Sequence, residues 1–244
     1  MKALDEYITA RFGSLLTNLE RYHRFNEPET LHQIRVDIKK TKCVLQLMDA
    51  SLKKFDGHEL YLPLRNIFRK ANQIRQPQLM VHLLIAHGLE GLPIEQFGDS
   101  LKHQEEFRAE IPFYLEQLGG TGKEIKSELK RVRSNDVRNH LRKQMKAIRS
   151  RLFPKLKPKD LHKVRKRAKS VVYLAKFSDL LSRRKRKFYA ILEDAIGRLH
   201  DKELLLEVLN TSPTQIDPAT VAGLRKTCAR DRKAIGSLAN EFYD

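Results

Sequence analysis

The chain has 244 residues, 41% of them hydrophobic and 32% charged, with only 11 Gly and 9 Pro. This length can bury a sizeable core, and the composition suits long helices better than strands joined by many turns. Two cysteines, Cys43 and Cys228, are too few for a disulfide framework, and no segment reaches the roughly 20 apolar residues of a membrane span. We therefore expect an all-α cytoplasmic protein without a signal peptide or a membrane partner.

The net charge of +18 is distributed unevenly along the chain. Residues 1–120 contain 16 basic and 16 acidic residues, so the whole excess comes from residues 121–244, which contain 32 basic and 14 acidic residues. The segment 123–187 alone holds 25 basic and 5 acidic residues. Because such a density of like charge opposes folding, it indicates a polyanionic partner.

Apolar residues recur at helical spacing along most of the chain. We expect Thr30 and Asp160 to cap helices, Pro77 to end one, and the glycine-rich stretch 119–122 to divide the chain into the halves 1–120 and 121–244. The predicted helices cover approximately residues 3–22, 30–52, 60–74, 79–89, 99–118, 125–152, 160 onward, 188–209 and 218–242.

One stretch of the chain occurs twice. The order Leu-His-Gln-Ile-Arg at 31–35 returns as Leu-His-Lys-Val-Arg at 161–165, an offset of 130 positions, with a Lys four residues after each Arg. A fainter similarity aligns residues 72–79 with 197–204 at an offset of 125. The two internal similarities predict a duplication over nearly the whole chain.

Each copy places cations on one side of its predicted helix. At about 100° per residue, the His, Arg and Lys positions fall within one sector, beside a separate apolar sector that faces the core. The cationic positions are His32, Arg35, Lys39 and Lys42 in the first copy, and His162, Arg165 and Lys169 in the second.

At these residues the sequence resembles the CHAD family, the conserved-histidine α-helical domains. The resemblance is carried by the paired Leu-His-x-aliphatic-Arg motifs, the trailing lysines, the Gly-Arg-Leu-His-Asp turn at 197–201 and the two-fold repeat. It implies an all-α fold of two four-helix bundle halves, related by a pseudo-two-fold axis around a basic groove or pore. It also implies non-catalytic binding of inorganic polyphosphate, which would make association with polyphosphate granules a further expectation.

The resemblance assigns a binding site in both halves. Lys166 joins this set because the second copy has Ser170 and Val172 where further basic residues are expected, and the empty site is expected to attract sulfate or phosphate. The expected polyphosphate-binding residues are His32, Arg35, Lys39, Lys40, Lys42 and Arg75 from the first half, and His162, Arg165, Lys166, Lys169 and His200 from the second.

Two other classes of function stay open from the residues alone. A basic helical surface also attracts nucleic acid without sequence preference, but only 7% of residues are aromatic and none interleaves with the basic runs as a stacking platform would. An enzyme would need a phosphate-cradling glycine loop or a metal motif, and neither occurs. The adjacent acids Glu193 and Asp194 point apart on a helix, a poor arrangement for a shared metal. We therefore expect no catalysis, metal or cofactor.

Overall fold

The computed structural model describes residues 2–89, 100–153, 156–211 and 217–243. Within these ranges the chain is helical and contains no strand, which confirms the predicted all-α class. Short 3-10 turns at Pro158–Asp160 and Ala175–Phe177 flank the sixth helix. The eight α-helices are α1 (Lys2–Phe25), α2 (Pro28–Ser51), α3 (Gly57–Ala86), α4 (Ser100–Leu129), α5 (Ser134–Leu152), α6 (Leu161–Leu174), α7 (Arg183–Thr211) and α8 (Pro218–Tyr243).

Helical periodicity places the core as predicted. Helix α1 packs on α2 and α4, and α7 packs on α6 and α8. In the repeated helices the apolar sector is fully buried, with Ile34 and Ile38 in α2 matched by Val164 and Ala168 in α6. The free cysteines Cys43 and Cys228 are also buried in helices. Burial of this sector leaves the cationic sector of each repeated helix facing away from the core.

A buried carboxylate fixes α2 against α1. Asp37 is fully buried, and its oxygens accept hydrogen bonds from Arg11 at 3.0 Å, Ser14 at 2.7 Å and Gln33 at 3.0 Å. This network orients α2 and therefore the cations on its other side.

We expect Asp37→Ala to lower the free energy of unfolding by about 2–3 kcal/mol, because it leaves a largely buried Arg11 without its counter-ion. Urea unfolding measures the loss. Asp179→Asn serves as the control, since Asp179 is exposed outside the helices and its change should stay within about 0.5 kcal/mol. An Asp37 variant as stable as this control would show that the network does not hold the two helices together.

The predicted helix end at Pro77 is wrong. Helix α3 runs without interruption from Gly57 to Ala86, so the segments predicted as 60–74 and 79–89 form one helix. A proline inside a helix removes one hydrogen bond, but Ile74 before it and Met80 and Leu84 after it are all buried. Burial on both sides therefore outweighs the local cost.

The predicted break at the glycine-rich stretch is also wrong. Helix α4 continues through residues 119–122 to Leu129, with Leu118 and Thr121 buried on the way. A Cβ added at Gly122 would lie 3.0 Å from Cδ1 of Phe12, so this glycine allows α1 and α4 to approach closely. Here glycine serves packing between helices and does not end one.

The expected capping residues need correction as well. Helix α2 begins at Pro28 with Glu27 at the N-cap, and Thr30 lies inside the first turn, where its hydroxyl donates to the Glu27 carbonyl at 2.6 Å. Proline is favoured at this first helical position because its missing N–H would have no partner there. Asp160 does occupy the N-cap of α6, but its side chain makes no capping hydrogen bond.

By contacts between residues the chain divides into two compact units. The first comprises Met1–Val81 and Pro93–His140, and the second comprises His82–Leu92 and Leu141–Asp244. The predicted halves, 1–120 and 121–244, describe the repeat and stay a prediction. Each repeated helix lies wholly within one unit, α2 in the first and α6 in the second.

Candidate anion-binding site

Four predicted cations of the first unit lie together where α2 packs on α3. We call His32, Arg35, Lys39 and Arg75 the first cluster. The Arg35 guanidinium donates to the Asn72 amide oxygen at 2.9 Å and lies over the Phe68 ring, 5.5 Å from its centre. The Lys39 ammonium lies over the same ring, also at 5.5 Å. The Phe68 ring therefore makes cation–π contacts with both Arg35 and Lys39.

The first cluster brings two like charges, those of Arg35 and Arg75, close together. Arg75 donates to the Gln78 amide oxygen at 3.4 Å, and in the described part of the chain no carboxylate pairs with Arg35 or Arg75. Burial and, to a smaller extent, the nearby charge of Arg75 together lower the pKa of Arg35 to about 10. A group that is charged even though its surroundings disfavour the charge will gain when an anion approaches.

The second unit repeats this arrangement where α6 packs on α7. We call His162, Arg165, Lys169 and His200 the second cluster. The His162 and His200 rings lie 6.2 Å apart. Glu193 Oε1 lies 3.5 Å from Arg165 Nε and 3.2 Å from Lys169 Nζ. In contrast to Arg35, these two cations have a carboxylate partner among the described residues.

The two helix pairs pack in the same register. Arg35 contacts residues 68 and 72, whereas Arg165 contacts Glu193 and approaches Gly197, which are the positions 125 residues further on. This matches the two sequence offsets, 130 between α2 and α6 and 125 between α3 and α7. These contacts of Arg35 and Arg165 fall at positions related by the two offsets, whereas the two-fold repeat itself stays a prediction.

The two motif arginines share a feature that Arg11 also shows. Nε of Arg35 and Nε of Arg165 are both buried, and neither has a hydrogen-bond partner among the residues that the structure describes. The 3.5 Å from Arg165 Nε to Glu193 is the distance of an ion pair and not of a hydrogen bond. Because buried donors in folded proteins nearly always have a partner, each of these two can take one from outside the chain, such as a water molecule or an anion.

Both motif histidines lie at the edge of their clusters and are exposed at their outer sides. Burial lowers the pKa of His32, and Arg75, Arg35 and Lys39 lower it further against the opposing charge of Glu29. Burial likewise lowers the pKa of His162, together with Lys166, His200, Arg165 and Lys169. Both rings are therefore neutral at neutral pH and can become donors with a positive charge when an anion is near.

The remaining predicted residues lie beside the clusters. Lys42 continues the line of cations along α2, with its ammonium 4.4 Å from the centre of the Tyr61 ring. Lys40 is half-buried and, about 100° from Lys39 around the helix, lies off that line. Lys166 is exposed next to Arg165 and acts on His162 through its charge.

A cavity of about 400 Å³ extends the first cluster along α2. Lys42, Arg65 and His58 contribute basic groups to its lining, and Asp49 contributes a carboxylate. That carboxylate accepts the Gly57 N–H at 2.8 Å and so caps the start of α3. The lining has mixed charge, so we place the end of the basic surface here.

The comparisons with known proteins agree with the motifs. The family profile described as the CHAD domain matches residues 6–210 of the 244-residue chain, well over half of its length. The chain belongs to the CHAD family. Neither a curated protein nor a solved structure matched it significantly.

The sequence did not indicate every residue that shapes the site of this CHAD domain. Phe68 and Tyr61, which support the cations of the first unit, look like ordinary apolar residues of α3 in the sequence. Glu193 was considered only as one of two adjacent acids. The structure confirms that these acids point apart, because Glu193 pairs with Arg165 and Lys169 whereas Asp194 pairs with Arg198.

Within the described residues of the CHAD domain, no group of three or more His, Cys, Asp or Glu side chains could hold a metal ion. None of the described helices is long and apolar enough to cross a membrane.

Proposed function

We propose that this protein binds inorganic polyphosphate, without catalysis, through the first and second clusters. The observation that carries the proposal is the pair of buried Nε donors of Arg35 and Arg165, which lack a hydrogen-bond partner among the described residues and are related by the sequence offset of 130. Phosphate oxygens are the acceptors that guanidinium groups bind best, through two parallel hydrogen bonds. A cytoplasmic location with association with polyphosphate granules accompanies this proposal.

The spacing of the cations suits a linear polyanion. Arg35, Lys39 and Lys42 follow one another at intervals of four and three residues, which places successive charges roughly 5 Å apart along α2. Polyphosphate carries about one charge per phosphate and has no bases, so a line of cations is all that its recognition requires. That the two clusters line one common groove stays a prediction, and the dependence of affinity on polyphosphate length tests it.

Nucleic acid is the second candidate, because exposed cations also lie outside the clusters. Residues 183–187 are all basic and exposed at the start of α7, and α5 carries six basic residues against the single acid Asp136. Against this candidate, the Phe68 ring, on which a base could otherwise stack, already contacts the cations of Arg35 and Lys39.

A competition experiment separates the two candidates. Labelled long-chain polyphosphate is displaced by unlabelled polyphosphate or by duplex DNA at matched phosphate concentration, over a series of salt concentrations. We expect polyphosphate to compete more strongly throughout the series, because its bare phosphates fit closely spaced guanidinium groups. Equal competition by DNA at every salt concentration would refute the polyphosphate proposal.

Gly197 offers a test that leaves every charge in place. A Cβ at this position would lie 2.9 Å from Nη2 of Arg165, so Gly197→Ala must displace the guanidinium. We expect the affinity for polyphosphate to fall about threefold to tenfold, the loss expected when a charge-assisted hydrogen bond is displaced. Isothermal titration calorimetry measures the change.

Gly119→Ala is the matched control for this substitution. Gly119 also lies in a helix, but no atom lies within 4 Å of its added Cβ. The control should bind normally and gain about 0.5–1 kcal/mol of stability, because alanine restricts the unfolded chain. If both variants bind equally, the close approach of Gly197 to Arg165 does not position the arginine for binding.

A further inference from the structure

The two clusters differ at one pair of equivalent positions, 68 in α3 and 193 in α7. In the first unit the position holds Phe68, whose ring lies 5.5 Å from both the Arg35 guanidinium and the Lys39 ammonium. In the second unit it holds Glu193, whose Oε1 lies 3.5 Å from Arg165 and 3.2 Å from Lys169. An aromatic ring supports the cations from one side, whereas a carboxylate neutralises them.

The Glu193 carboxylate uses the same groups that a phosphate would use. A carboxylate and a phosphate are both acceptor-only anions that bind guanidinium and ammonium groups through their oxygens. The Glu193 side chain is 24% exposed and those of Arg165 and Lys169 are 23% and 21% exposed, so the three groups are partly shielded from solvent. Ion pairs shielded in this way are screened less by salt than fully exposed ones.

We infer that Glu193 is an internal competitor for the anion, which lowers the affinity of the second cluster for short phosphates more than for a long polyphosphate chain. This inference rests on the proposed function and adds a selectivity to it. In the first cluster the equivalent position holds Phe68, which supplies no carboxylate, so Arg35 binds short phosphates as well as long ones. The second cluster favours a long chain, which contacts further cations while it displaces the carboxylate.

The neighbouring acid provides a control with the same change of charge. Asp194 lies next to Glu193 on α7 but is exposed, with a side chain 60% accessible, and pairs with Arg198 one turn further on. Glu193→Gln and Asp194→Asn each remove one negative charge from α7. A general effect of net charge therefore appears in both variants, and the effect of freeing Arg165 and Lys169 appears in the first alone.

The test measures the affinity of both variants for tripolyphosphate and for long-chain polyphosphate. We expect Glu193→Gln to raise the affinity for tripolyphosphate about tenfold and Asp194→Asn to raise it less than about twofold, because only the first substitution frees two partly buried cations. The gain for long-chain polyphosphate should be smaller, since that ligand already displaces the carboxylate. Equal affinities of the two variants would overturn the inference.

A reciprocal pair of variants covers the case in which Glu193→Gln fails to fold. Phe68→Glu places a carboxylate beneath Arg35 and Lys39, and Phe68→Leu removes the ring without adding charge. We expect Phe68→Glu to lower the affinity for tripolyphosphate about tenfold relative to Phe68→Leu, because it gives the first cluster the competitor that the second one has. Equal affinities of these two variants would contradict the inference.

These outcomes also separate the inference from the proposed function. If the unmodified protein binds long-chain polyphosphate and Glu193→Gln matches Asp194→Asn, the inference fails and the proposed function stands. If the unmodified protein does not bind long-chain polyphosphate but Glu193→Gln gains affinity for tripolyphosphate, the proposed function fails and the competition by Glu193 stands.

Discussion

Replacing both Arg35 and Arg165 by alanine is expected to lower the affinity for polyphosphate about 100-fold or more, because each loses charge-assisted hydrogen bonds worth about 1.5–3 kcal/mol. Each arginine brings a buried donor that has no partner within the described residues, so its binding contribution does not cost an existing hydrogen bond at Nε. Isothermal titration calorimetry at fixed salt measures the loss.

The two single variants are expected to lose different amounts of affinity for polyphosphate. Arg35→Ala should cost more than Arg165→Ala, because Arg165 is already paired with Glu193 and gains less from a phosphate. The control is Arg184→Ala with Arg186→Ala, which removes the same charge from the exposed start of α7. Loss of binding in this control, with normal binding in the Arg35 and Arg165 variant, would place the binding surface on α7 and not in the two clusters.

The affinity for polyphosphate is expected to rise about tenfold between about pH 7.5 and about pH 5.5 through His32 and His162. In the unliganded protein burial holds the pKa of both rings below the ordinary value of histidine. A bound anion favours the charged ring and raises the pKa, so binding takes up protons. Affinity therefore increases as the pH falls towards the lowered pKa of the free protein and levels off below it.

The sign is opposite for the stability of the unliganded protein. Because the folded state holds these rings at a lowered pKa, the unfolded chain binds more protons, and stability is lost as the pH falls below the ordinary histidine range. Added polyphosphate should reverse part of that loss. Thermal melts with and without ligand across this range measure both effects.

The double variant His32→Gln with His162→Gln distinguishes the titration of the histidines from the titration of the ligand. The end groups of polyphosphate also titrate, but their contribution is the same for both proteins. We expect the variant to lose most of the pH dependence while keeping most of its affinity at about pH 7.5, where the rings are neutral. An unchanged pH profile in the variant would show that the two histidines act only structurally.

The repeated motif made half of the site predictable from the sequence. Arg35, Lys39, Arg165 and Lys169 recur at fixed spacing on amphipathic helices, and helical geometry alone places them on one side of α2 and α6. Alignment of 72–79 with 197–204 also brought Arg75 and His200 to their clusters. These positions follow from periodicity, which short-range backbone geometry determines.

Helical periodicity did not predict Phe68 and Glu193, the residues that contact the cations from the neighbouring helix. Phe68 and Glu193 lie on α3 and α7, and their contacts depend on how those helices pack against α2 and α6. An aromatic residue and an acid at equivalent positions give no shared pattern. Packing between helices, which a single sequence does not display, decides which residue meets which cation.

Glycine and proline misled the prediction of helix ends for the same reason. Pro77 and Gly122 each weaken a helix locally, by about 3 kcal/mol for a proline and about 1 kcal/mol for a glycine. Burial of the flanking apolar residues and the close contact of Gly122 with Phe12 favour continuous helices instead. A proline or glycine in the sequence shows what it costs to continue a helix. The packing contacts that offset this cost involve residues elsewhere in the chain.

The arginine Nε–H resonances of the ¹H–¹⁵N NMR spectrum test the central claim most directly. On addition of polyphosphate, we expect the Nε–H signals of Arg35 and Arg165 to shift and to exchange more slowly with water, because each buried donor gains its missing acceptor. The signals of Arg183 and Arg184 should change little. Unaltered signals of Arg35 and Arg165, with shifts confined to Arg183 and Arg184, would contradict binding of polyphosphate at the two clusters.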